Sequence, residues 1–397
     1  AGELNRARAF GKYLQGLAHA TLAMVYDQGF ILDETTDLMN PPVPLPYTQV
    51  MDAALAYFDE AIALSAGASW TLPLEWMRAE LTGPELARAA HSLKARFRVG
   101  VARDPIERGS VYWPAVMADV DAGITSDLIA NYDMDAGWYL MVLDYGTYPT
   151  WSQMGYFIYG MADQSGAFQA WDALPLVEKN PYLLSGEEVL IVTPDLRFPQ
   201  GGDVATQQAN PGSYFRIMDP DEVGNTWKKP DRGTWRWSWY KLVRGTEYWE
   251  SSVYDQPEIR LREMQLLKAE GYLREGNYPP AVAIINQTRV AAGLNATDVT
   301  GTNTSCVPRL PDGSCGDLWE MLKWEKRMET TFTGLLANNW FFDSRGWGDL
   351  WKDTPLQHPV PCDEVLELGW GICTTYGGPG GLMSAPLSTY AWNGEGS

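Results

Sequence analysis

Apolar residues recur along this chain at spacings of three and four, and the stretches that carry them come in pairs. A stripe of that period commits a segment to an amphipathic helix, and two such segments joined by a short link predict an antiparallel pair. Over residues 4–26 the stripe runs through Ala7, Phe10, Leu14, Leu17, Ala18, Thr21 and Val25. After a Pro-rich link ending at Pro46, a second helix is expected from Thr48 to Leu64, with Val50, Ala54, Tyr57, Phe58, Ala61 and Ile62 inward. Pro84 to Val101 repeats the pattern through Leu86, Ala89, Ala90, Leu93 and Phe97, with Tyr112 to Ile124 as its shorter partner. A third pair is expected from Glu258 to Arg274 and from Tyr278 to Ala292. It turns at Glu275-Gly276-Asn277 and is closed by Gly293, since a glycine just past a helix end favours the left-handed cap. One more helix is expected from Leu318 to Phe332.

Helix pairs of similar length, reused at irregular intervals, predict an all-α fold of degenerate tetratricopeptide-like hairpins. Between them, residues 132–255 are rich in Gly, Pro, Trp, Tyr and Asn and carry few helical stripes, as does the stretch from Gly346 onward. These read as large, irregular, aromatic-rich loop insertions of the kind that carry function. The expectation is a single domain over 1–397. Its first hairpins lie in 1–131, a loop-rich region in 132–255, the last hairpin and the further helix in 256–345, and a loop-rich tail in 346–397.

Charge narrows the function. With 50 acidic against 30 basic residues the formal charge is −20, which argues against nucleic acid and anionic lipid as partners. No apolar run is long enough to span a bilayer, and the opening AGELNRARAF is polar, so an exported protein is expected here in processed form. The four cysteines form two local pairs, Cys306 with Cys315 and Cys362 with Cys373, in Gly/Pro/Thr-rich segments. Two short disulfide loops in an oxidising compartment are favoured over free thiols or a metal site, which prefers tighter spacing and nearby histidines.

Several motifs resemble one family in its order. The run Ile259-Arg260-Leu261-Arg262-Glu263-Met264-Gln265-Leu266-Leu267-Lys268-Ala269-Glu270 resembles the IRLxExxLxKAE helix of SusD/RagB-like proteins. Gly276-Asn277-Tyr278, Ala281, Ile285-Asn286, Arg289 and Ala292-Gly293-Leu294 continue it, and Glu325-Lys326-Arg327-Met328-Glu329 is similar to the family's ERRxE helix. Phe342-Asp343 with Arg345 to Gly348 resembles the FDLRRWG segment. The resemblance implies a protein without chemistry of its own at the outer-membrane surface of a Gram-negative bacterium. There it would bind an oligo- or polysaccharide, or sometimes a peptide, and serve a SusC-like TonB-dependent transporter. In two places the chain departs from the family pattern: it opens on Ala1 rather than on a lipid-bearing cysteine, and Leu335 to Asn339 stands where the family has its EGxR segment.

The residues themselves offer aromatic platforms, which stack on the apolar faces of sugar rings. The densest group is Trp227, Trp235, Trp237, Trp239, Tyr240 and Trp249, with Asp231, Arg232 and Arg236 as rim hydrogen-bonding groups. If extended, Trp235, Trp237 and Trp239 would share one face. A second group is Trp138, Tyr139, Tyr145, Tyr148, Trp151, Tyr156 and Tyr159. The competing reading of each ring is core packing. Enzyme readings find little support: His19, His91 and His358 are far apart, and no hydrolase, nucleotide or cofactor motif is present. The Asp219–Asp231 stretch lacks the EF-hand spacing for calcium. An alternative use of the same scaffold is a self-assembling filament, tube or layer subunit, a homo-polymer whose loop aromatics serve subunit contacts.

Overall fold

The computed structural model describes residues 2–40, 42–141, 143, 146, 148, 151, 153–175, 178–179, 189–219, 221–222, 237–334, 339–350 and 354–369. In chain order the main helices are α1 (Gly2–Val25), α2 (Tyr47–Ser65), α3 (Gly83–Gly100), α4 (Pro105–Gly109), α5 (Trp113–Asp121), α6 (Thr246–Ser251), α7 (Leu261–Arg274), α8 (Tyr278–Ala291), α9 (Leu318–Thr330) and α10 (Asn339–Trp347). Strands β1 (Gln153–Gly155), β2 (Phe215–Ile217) and β3 (Trp237–Leu242) form a three-stranded antiparallel sheet with β3 in the middle. Two compact units share this chain: residues 1–129, 257–274 and 338–394 make the first, and residues 130–256, 275–337 and 395–397 the second.

In the first unit the helices pack in succession, α1 on α2, α2 on α3, α3 on α5 and α5 on α7, which is the stacked hairpin array expected of tetratricopeptide-like pairs. Helix α3 starts where the sequence dictates. Pro84 fills its first turn, and the Glu85 carboxylate reaches back to accept the Thr82 N–H at 2.8 Å, which also holds the Glu85 carboxyl below the usual range. The inner stripes of α2 and α3 are buried as expected, from Val50 to Ala61 and from Leu86 to Phe97.

Helix α1 corrects the sequence reading. Its buried face is Ala9, Tyr13, Gly16, Ala20, Ala23 and Met24, while Leu4, Leu14 and Leu22 remain exposed. Small residues win this face because α2 approaches closely: a Cβ on Gly16 would lie 2.9 Å from the Phe58 ring. The third helix pair also differs from expectation. Helix α7 packs on α5 in the first unit, whereas α8 packs on α9 in the second.

Each unit is fastened by buried charge, and the resemblance motifs supply much of it. In the first, Arg108 of α4 donates to Glu270 of α7 at 2.8 and 2.6 Å and to Asp343 of α10 at 2.9 Å, while Trp347 Nε1 donates to the same glutamate at 3.1 Å. Two further buried arginines, Arg103 and Arg345, point at helix ends. Arg103 donates to the carbonyls of Ala23 and Met24 and Arg345 to those of Met24 and Gly100, groups that an α-helix leaves without intrahelical donors, and Arg345 also donates to the loop carbonyl of Leu356. In the second unit, Arg197 bridges Asp195 and Glu325, with Arg289 3.6 Å from Glu325 and Trp324 Nε1 donating to Asp195 at 3.2 Å. Helix α9 is buried at every residue but Trp319, charged residues included, after an N-cap in which Asp317 accepts the Glu320 N–H at 3.0 Å.

Candidate functional site

Most of the Trp-rich group read from the sequence falls at or beyond the edge of what is described. Trp227, Asp231, Arg232, Trp235 and Arg236 lie outside the described residues, and Trp237 is described only as the backbone that opens β3.

Two of its described members are core residues. Trp239 and Tyr240 are buried. The Tyr240 hydroxyl donates to Gln207 Oε1 at 2.6 Å and accepts the Ile191 N–H at 2.9 Å, and burial pushes that hydroxyl's pKa up. The physical reason is the place of β3. A strand with neighbours on both edges, packed on both faces, buries alternate residues to either side, so period-two indoles need not face solvent. At its far end, Lys241 Nζ donates to Glu222 at 2.6 Å and Arg216 clasps the same carboxylate at 2.7 Å.

Cys306 and Cys315 are joined in a disulfide, as the spacing suggested. Its loop docks locally: Gln164 Nε2 donates to the Cys306 carbonyl at 2.7 Å and Arg309 Nη1 to the Gln164 carbonyl at 2.9 Å. Cys362 is also disulfide-bonded, but Cys373 lies outside the described residues.

What the structure brings together instead is one residue from the first aromatic group and two from the second. Helix α6 begins at Gly245, which takes the left-handed conformation at φ 81°, and its next residues split inward and outward. Tyr248 turns in, buried with Ala130, Tyr132 and Leu143 and packed by Trp138, Leu140, Tyr254 and Phe332. Trp249 turns out and is 42% exposed. There Tyr148 meets it at a ring-centroid distance of 4.1 Å and an interplanar angle of 65°, and Trp151 meets Tyr148 at 5.2 Å and 43°. Tyr139 and Met141 are exposed in the same segment. The sequence named all three stacked rings. The meeting of the two groups was not legible, because it depends on how α6 and the 138–151 segment fold together.

Among the described residues, no group of three or more His, Cys, Asp and Glu side chains is placed to hold a metal ion. Nor is any described helix long and apolar enough to cross a membrane. An exposed indole such as Trp249, with half-buried Tyr148 and Trp151 beside it, can stack on the C–H faces of sugars and accept cations over its π-face.

No family model and no curated protein matches the chain. Among solved structures it is similar to a SusD superfamily protein from Bacteroides vulgatus, with a TM-score of 0.46, 13% identity, and coverage of 87% of this chain and 67% of that one. A SusD-like carbohydrate binding protein from Bacteroides vulgatus is similar at a TM-score of 0.44 and 12% identity, over 97% of this chain and 73% of that one. The surface glycan-binding protein A from Bacteroides uniformis is similar at a TM-score of 0.41 and 12% identity, over 82% and 65% of the two chains.

Proposed function

We propose that this chain is an extracellular glycan-binding protein, working at the outer-membrane surface with a SusC-like TonB-dependent transporter in nutrient capture. The observation that carries the reading is the exposed Trp249, on a helix whose neighbouring Tyr248 is locked in the core, with the half-buried Tyr148 edge-on against it and Trp151 tilted against Tyr148. Aromatic rings of this size gain little by standing in water, and a rigid base gives them a fixed geometry for a ligand. Residues of the resemblance motifs, Glu270 and Asp343 in the first unit and Glu325 and Arg289 in the second, serve as buried structural charges within their own units. Trp227, Trp235, Trp237, Asp231 and Arg236 are proposed to extend the binding surface. A glycan microarray probed with the purified protein, followed by assay of the hits for released sugar, tests the reading. Binding without release is expected; depolymerisation of a bound glycan, or an array with no hits, would overturn it.

A second reading has one observation in its favour. The exposed Leu4, Leu14 and Leu22 on α1 are the apolar residues that a homo-polymer's subunit contact would cover. Light scattering on a size-exclusion column separates the two: a monomer of 44.3 kDa fits the binding protein, and ordered polymers fit the assembly subunit.

A further inference from the structure

Phe332, just past the end of α9, takes the left-handed conformation at φ 56°, which is strained for any residue with a Cβ and rare for one with a large ring. The segment that bears Trp249 holds it there. Arg244, just before α6, donates to the Thr331 carbonyl at 2.6 Å, and the buried Gln256, beyond α6, donates to the Phe332 carbonyl at 3.3 Å. Those carbonyls belong to the two peptide planes that meet at the Phe332 Cα, so fixing both fixes its dihedrals. Strain that the surroundings over-determine in this way clusters at binding sites.

The Phe332 ring reaches the base of both aromatic groups, all within the second unit. It packs on the cluster of Ala130, Tyr132, Leu143 and Tyr248, and Tyr248 is the residue before Trp249. It also covers Gly146, where a Cβ would lie 2.3 Å from the ring's Cε2 and 2.4 Å from its Cζ. Tyr148 follows Gly146 two residues later, and its ring stands 4.1 Å from that of Trp249 at 65°. We infer that Phe332 is the positioning residue of the aromatic site, the wedge that sets the angle at which Tyr148 and Trp249 meet a ligand. The inference rests on the glycan-binding reading and adds the residue that fixes the geometry of that site.

The test is fluorine NMR on the full chain labelled with fluorotryptophan. Loss of a resonance in Trp249→Phe identifies the Trp249 signal, and Tyr148→Ala gives its position without the neighbouring ring. Gly146→Ala puts a methyl where Phe332 Cε2 and Cζ stand, and should move the signal toward its Tyr148→Ala position. Phe332→Leu removes those two atoms and ends near Cδ2, 3.6 Å from the same point, so adding it to Gly146→Ala should bring the signal back. A merely loosened core would not be restored by a second truncation. If Gly146→Ala does not fold, Phe332→Ala, which withdraws the ring, is expected to move the signal in the same direction. On a glycan microarray, the hits of the unaltered protein should weaken about tenfold in Gly146→Ala and recover in the double variant. A Trp249 signal that stays in place in folded Gly146→Ala or Phe332→Ala overturns the inference. So does a shift that Phe332→Leu fails to reverse, or array hits that do not weaken. The spectra need no ligand, so an array with no hits at all removes the glycan-binding reading, while the fluorine shift alone decides whether Phe332 sets the ring geometry.

Discussion

Glu270 is fully buried, and so is the Arg108 guanidinium that clasps it; such a pair is held less for net stability than because neither partner tolerates being left alone. Glu270 takes hydrogen bonds from Arg108, Arg274 and Trp347, tying α4, α7 and α10 together. Glu270→Gln would leave a guanidinium in the core with its charge half-compensated by Asp343, and is expected to cost about 3–5 kcal/mol in urea unfolding. A loss under 1 kcal/mol, within the range of an ordinary surface substitution, would contradict this account. Arg345 differs because its partners are backbone carbonyls. Burial, with Arg103 nearby, pulls its guanidinium's pKa well down, and its planar fork spans helix ends that a lysine would not. Only some of these residues were legible. Glu270, Asp343, Arg345, Glu325 and Arg289 stand in recognisable motifs, whereas Arg108 and Arg103 carry no local mark because their partners are distant in sequence, and the neighbouring Asp195 and Arg197 are marked only by their distant partner Glu325.

At the scale of elements, period gave the existence and the ends of helices to within a few residues, since local backbone and capping chemistry decide those. It did not give the buried side where two stripes competed. On α1 the stripe through Leu14 lost to a face of Ala9, Tyr13, Gly16, His19, Ala20, Ala23 and Met24, with Gly16 at the point where α2 comes nearest. On β3 it did not reveal that both faces are covered, which is why Trp239 and Tyr240 turned out to be core. The disulfide loop offers one element-level prediction. Replacing Cys306 and Cys315 by Ser opens a loop with a sequence separation of 9 and should lower stability by about 2–3 kcal/mol in urea unfolding, from the chain entropy returned to the unfolded state. An unchanged unfolding midpoint would contradict that.

Nearby, the Thr300 and Thr302 hydrogen bonds hold the Asp298 carboxyl down to about 2. A depressed folded-state pKa means the turn's contribution is complete above the ordinary carboxylate range, near about 4, and is lost as pH falls through about 2. An NMR titration of Asp298 should show that low midpoint, and Thr300→Val should raise it. A midpoint near about 4 in the unaltered protein would contradict the hydrogen-bonded turn.

For the molecule as a whole, the helical array and the sheet-bearing unit divide the work. Buried charge and close helix packing make the first a scaffold, and the second presents aromatic rings on short, well-seated elements. The central claim is that those rings bind sugar, and the most direct measurement is the affinity of Trp249→Ala and Tyr148→Ala for a glycan that binds the unaltered protein, with thermal melts taken in parallel. The account predicts that each variant loses roughly tenfold in affinity, the order of one stacked ring, while melting as the parent does. Undiminished affinity in both variants would place the binding surface elsewhere and contradict it.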